Sequence, residues 1–151
     1  RGIYLLESGS EPFPDVEIHE EQYGVRISKL EDVIRAYQAA EGNVWLRQCA
    51  FDLDPTDEEL KHIHLEVHNR GYDDTTSTWV KDFWGWFGVR TDKHFTCSGL
   101  AAFVLSKLGV LDNDIDWTHV TPTMLIDNDH LRWRRPYKEI EVYLPLLLHE
   151  E

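Results

Sequence analysis

The sequence is poor in sulfur, poor in positive charge and without a long apolar run. Its 151 residues include two cysteines, Cys49 and Cys97, and one methionine. Two cysteines permit at most one disulfide, which excludes a densely stapled secreted scaffold. The simpler expectation is two free thiols in a reducing, cytoplasmic compartment. No Cys-x-x-Cys pair occurs, which argues against a structural zinc site of the usual kind. No stretch approaches the roughly 18 apolar residues that cross a bilayer. The longest late run, Val142 to Leu148, is interrupted by Pro145, so no integral membrane segment is expected.

Lys and Arg number 15 against 28 Asp and Glu, giving a net charge of −13. Such a surface repels phosphate backbones and anionic membranes, so a nucleic-acid partner is not expected. The one basic cluster, Arg132-Trp133-Arg134-Arg135, reads as a solvated turn before Pro136. An initiator Met and a signal peptide are also missing. The chain opens on Ile3-Tyr4-Leu5-Leu6, which reads as the middle of an element, so further sequence is expected upstream.

What is present suits one domain over residues 1–151, with 42% apolar and 12% aromatic residues to build a core. Ile3–Leu6 reads as a short buried strand that ends at Glu7-Ser8-Gly9-Ser10. Val16–Ile18 and Val25–Ile27 alternate as half-buried strands do, with Tyr23-Gly24 as the turn between them. Ser28 opens a helix over Leu30–Tyr37 with Leu30, Val33, Ile34 and Tyr37 inward. Val44–Cys49 is a strand candidate. Thr56 and Glu59 have capping-box spacing and start a helix to about His68, with Leu60, Ile63, His64 and Val67 inward. Residues 72–96 are irregular and aromatic. Thr121–Leu125 enters a one-turn helix, and Ile140–Leu144 is a closing strand.

The clearest element begins at Cys97. Apolar or small residues recur at 97, 100, 101, 104, 105 and 108, a helical stripe stopped by Gly109. A cysteine at the first position of a helix faces unpaired backbone N–H groups, which favour an anionic sulfur and can bind an oxyanion. The bland alternative is a small core residue in line with Leu100, Ala101 and Val104, since free Cys is among the most buried residue types.

Three segments resemble circularly permuted papain-fold proteins of the YiiX-like group, within the NlpC-like superfamily. Phe95-Thr96-Cys97-Ser98-Gly99-Leu100-Ala101 resembles the nucleophile motif of that group. Arg70-Gly71-Tyr72-Asp73 resembles its Gly-x-Pro-Tyr-Asp-type segment. Tyr4–Ser8 followed by Gly24–Leu30 resembles a strand ending in a polar partner, then a strand and short helix.

The resemblance implies an α+β fold, with an antiparallel sheet packed on the nucleophile-bearing helix. It implies Cys97 as nucleophile and Glu7 as the residue orienting a catalytic His, where the bland reading of Glu7 is the first solvated residue of a turn; Tyr72 reads either as a substrate-binding wall or as simple core packing. The His would lie on a strand about 10 to 15 residues before Glu7. Gly99 departs from the pattern, which usually has Glu two positions after the Cys. The implied activity is thiol-dependent hydrolysis or acyl transfer at an amide or ester of a peptide or lipid, through a thioester. That mechanism needs no metal and no organic cofactor. The competing expectation is an inactive papain-like module that binds a peptide, lipid or protein partner.

Other side chains have bland readings. His64 and His68 lie four apart on one helix and can chelate zinc, with His62 near. No Glu-x-x-His pattern lies between them, and core or surface histidines are the better reading. His94 lies three residues before Cys97, on an irregular segment. His119 with Asp127 or Asn128 would give an unpermuted Cys, His, Asp/Asn order, over a short separation. Trp79, Phe83, Trp84, Trp86 and Phe87 read as a satellite cluster packing a long loop.

Overall fold

The computed structural model describes residues 2–42, 44–48, 54–68, 70–72, 94–126, 131–134 and 141–145. The order of elements is β1 (Tyr4–Pro14), β2 (Glu21–Lys29), α1 (Leu30–Ala39), β3 (Trp45–Gln48), α2 (Asp57–Val67), β4 (Gly71–Tyr72), β5 (His94–Phe95), α3 (Cys97–Lys107), a 3₁₀ turn (Trp117–His119), α4 (Pro122–Ile126) and β6 (Glu141–Pro145). The fold is mixed α+β. β1 pairs antiparallel with β2, β3 antiparallel with β6, and the short β4 runs parallel to β5. No helix among the described residues is long and apolar enough to cross a membrane.

The first hairpin differs from the sequence reading. Val16–Ile18 is a turn, and Tyr23-Gly24 lies inside β2 rather than between strands. Gly24 has φ 86°, a conformation glycine adopts without strain. β1 continues past Gly9 to Pro14, and the register shifts between Gly9 and Phe13. That irregularity lets the chain curl over β2: Val16 N–H donates to the Ile27 carbonyl at 2.9 Å.

A buried arginine organises the curl. Arg26 donates from Nε to Glu7 Oε1 at 3.0 Å and from Nη1 to the carbonyls of Glu11 and Gln22. Its guanidinium also faces the Phe13 ring at 5.4 Å. A Cβ on Gly9 would fall 2.5 Å from Arg26 Nη2, so the position is kept free of a side chain. Asp15, also buried, accepts from the N–H groups of Glu17, Ile18 and Ile27. Burial opposes its charge, but those three donors and the nearby His68 outweigh it and hold the carboxyl below its usual pKa. Asp15 is therefore anionic at neutral pH, and the stability it confers fades only as acid titrates it.

Two helices start differently. α1 has Lys29 at its N-cap, a side chain with no acceptor and so no cap, while the Ser28 hydroxyl one position earlier donates to Glu7. α2 has the expected capping box at Thr56 and Glu59. Of the expected inward residues, Val33, Ile34, Ile63 and Val67 are buried, whereas Tyr37 and Leu60 are exposed.

α3 lies between two cores. One holds Val25, Val67, Phe95, Leu100 and Phe103; the other holds Ala102, Leu111, Val120 and Leu131. Trp117 packs against both. Of the expected stripe, Leu100 is buried and Val104 and Leu105 are half-buried against the two cores, while Cys97 is exposed; the other buried positions, 98, 99, 102, 103 and 106, lie outside the stripe. A helix apolar on nearly every side carries little periodic information about which face is inward. Gly109, at φ 68°, follows its end as expected.

Candidate functional site

Cys97 is the first residue of α3, and its free thiol is exposed. The core-packing alternative for this cysteine is thereby set aside. Thr96 is the N-cap, and its Oγ1 accepts from Gly99 N–H at 3.0 Å. Leu100 N–H donates to the Thr96 carbonyl, so the helix is hydrogen-bonded from its first turn. The Cys97 and Ser98 amides precede the first intrahelical donors and have no acceptor within the helix.

The surroundings of this turn are closely packed and hydrogen-bonded. Phe95, two residues earlier, is almost wholly buried, and its ring lies 4.6 Å from Trp117 and 5.3 Å from Phe103. Its carbonyl accepts from the buried Ser8 hydroxyl at 2.7 Å. Ser98 Oγ donates to the Val120 carbonyl at 2.6 Å. These bonds tie the start of α3 to β1 and to the segment after the 3₁₀ turn.

The same packing explains Gly99. A Cβ there would meet Thr96 Oγ1 at 2.9 Å and the Trp117 carbonyl at 3.1 Å. A glutamate, the usual occupant in the resembled group, has no room. We expect Gly99→Ala to lower stability by about 1–2 kcal/mol, overpacking exceeding the gain in helix propensity. The shift of the urea unfolding midpoint measures it. An unchanged or raised midpoint would mean that the first turn yields easily.

Glu7 lies on β1 beside Ser8. Its Oε1 accepts from Arg26 Nε and from Ser28 Oγ at 2.8 Å. Side chains alternate along a strand. Leu6 and Ser8 face the Phe95 core, and Glu7 faces the other side of the hairpin with its β2 partner Arg26. Among the described residues no hydrogen bond joins Glu7 to Cys97. Tyr72 belongs to β4, whose neighbour Phe95 leads into Cys97, so the backbone brings these two segments together. The Tyr72 side chain, the side chain of His94, Cys49, Asp127, Asn128 and the aromatic cluster at 79–87 lie outside the described residues.

Two groupings were not anticipated. Asp116 orients His119, with His119 Nδ1 3.2 Å from Asp116 Oδ2 and 3.1 Å from Thr118 Oγ1. Desolvation opposes charge on Asp116, yet the Thr118 and His119 interactions hold its carboxyl below the usual range. His119 also lines a cavity of about 410 Å³ with Asp112, Asp116, Val120, Met124 and Arg132. Val120 both lines that cavity and receives the Ser98 hydrogen bond, so the cavity shares a wall with the first turn of α3. Asx spacing at Asp116-Trp117-Thr118 was the signal available in the sequence. Second, Glu17 meets His64 and His68 across the fold, a contact between segments remote in sequence.

Against family models, curated proteins and solved structures, the chain has no match in any of the three comparisons.

Proposed function

We propose that Cys97 is the nucleophile of a thiol-dependent hydrolase or acyltransferase, in a permuted papain-like arrangement, acting on an amide or ester of a peptide or lipid. The observation that carries this reading is the exposed thiol on the first residue of a helix clamped between two cores. Backbone amides at the start of α3 supply donors for an oxyanion. An imidazole, which the resemblance places on a strand before Glu7, takes the thiol proton; the sulfur attacks the carbonyl carbon, the C–N or C–O bond breaks, and the same imidazole returns the proton to the leaving group. Water or another acceptor then cleaves the thioester. Tyr72 enters as a wall of the substrate groove. Glu7 enters as the residue that the resemblance assigns to orient the base; its observed partners are Arg26 and Ser28.

A second reading is a papain-like module that binds a peptide, lipid or protein partner without turnover. The commitment of the Glu7 carboxylate to Arg26 favours it.

The two readings separate with an activated acyl ester. The hydrolase reading expects a single acyl adduct on the Cys97 peptide by mass spectrometry, followed by turnover. Cys97→Ser is expected to abolish turnover while leaving the unfolding midpoint in place, because the side chain is exposed. Turnover that survives Cys97→Ser, or an adduct on Cys49 alone, would contradict the hydrolase reading.

A further inference from the structure

We propose that Glu17, His64 and His68 form a binding site for one zinc ion, separate from the thiol site. Glu17 Oε2 lies 3.0 Å from His64 Nε2 and 3.4 Å from His68 Nδ1, and the three ligand atoms all fall within 4.8 Å of one another. Tetrahedral zinc, with bonds of about 2.0–2.2 Å to nitrogen and oxygen, spaces its ligand atoms about 3.3–3.6 Å apart. The two separations from Glu17, 3.0 and 3.4 Å, are within a few tenths of an ångström of that spacing.

The ligands are held in place by the fold. His64 lies in the last turn of α2 and His68 is the C-cap residue that follows it, with ring centroids 4.9 Å from each other. Ile63 and Val67, buried on the same helix, fix its rotation. His64 keeps Nε2 on the cluster, while its Nδ1 is buried with no partner among the described residues. Glu17 is presented by the turn that Asp15 pins through three backbone N–H groups. His62 takes no part: it is exposed and lies 3.7 Å from Glu66.

Two imidazoles and one carboxylate suit zinc and disfavour calcium or magnesium, which take oxygen ligands. Three protein ligands leave the fourth position to water or an incoming group. The ion would tie the turn between β1 and β2 to α2, two segments joined here by a shared carboxylate alone among these three residues. Without metal, Glu17 Oε2 sits between the two rings, 3.0 Å from His64 Nε2 and 3.4 Å from His68 Nδ1.

The test is zinc titration of the metal-stripped full chain by calorimetry, with Glu17→Gln and His68→Ala as variants. One ion per chain is expected, with affinity reduced about 100-fold or more in each variant. Thermal unfolding without zinc checks that both variants fold, and the zinc-induced rise in midpoint is expected to vanish in them. Cobalt substitution gives an independent readout: tetrahedral d–d bands with no sulfur-to-metal charge transfer, unchanged by Cys97→Ser. Absence of stoichiometric zinc, affinity untouched by either substitution, or a thiolate charge-transfer band would overturn the proposal.

Discussion

Phe95→Ala is expected to lower the unfolding free energy by about 3–5 kcal/mol, the usual cost of emptying a large aromatic site in a core. Domains of this size have about 5–15 kcal/mol in all, so the variant sits near the edge of folding. The side chain is 1% exposed and contacts Phe103, Trp117 and the Arg70 guanidinium, whose carbon is 5.7 Å from the ring centroid. It joins β2, α2 and α3 in one cluster. Because it stands two residues before Cys97, the loss should also loosen the first turn of α3. Urea unfolding and the accessibility of Cys97 to a thiol reagent measure the two effects. A loss below about 1 kcal/mol would mean that the neighbours collapse into the vacated space.

The second large effect is at Glu7. Its carboxylate is the anionic partner of Arg26, which is 6% exposed. Removing one partner of a buried pair leaves the other charge uncompensated, and about 3–5 kcal/mol is the usual loss. Glu7→Ala is expected to fall in that range. Glu7→Gln keeps an oxygen acceptor for Arg26 Nε and is expected to lose about 1–2 kcal/mol. Equilibrium unfolding of both variants checks the order. If Glu7→Ala were nearly neutral for stability yet inactive, the carboxylate would serve the thiol site and not Arg26.

Local features were legible in the sequence. The capping box of α2, the helix begun by Cys97, its stop at Gly109 and the one-turn helix after Thr121 each depend on residues within a few positions. What could not be read depends on remote contacts. β1 carries two prolines and polar residues, so its second half looked like a turn. It is a strand because Arg26, on β2, gathers the Glu11 and Gln22 carbonyls around one cation. The stripe on α3 gives only part of its inward face, because apolar residues surround the helix and two cores claim it.

The candidate site was legible in part for the same reason. Cys97 announced itself by its place before a helix, a short-range signal. Glu7 stood out only through a resemblance, and its contacts with Arg26 and Ser28 needed the hairpin register. Glu17 carries no signal in the sequence, because its tie to His64 and His68 spans 47 and 51 positions. His64 and His68 were visible as a pair, and only the third ligand separates a helix with two histidines from a metal site.

The most direct measurement of the central claim is competitive alkylation of the native protein with limiting iodoacetamide at neutral pH, read by peptide mass spectrometry. The account predicts that the Cys97 peptide is modified first, and that a prior acyl adduct at Cys97 blocks its labelling. Cys97 labelled no faster than Cys49, or labelled only after unfolding in denaturant, would contradict it.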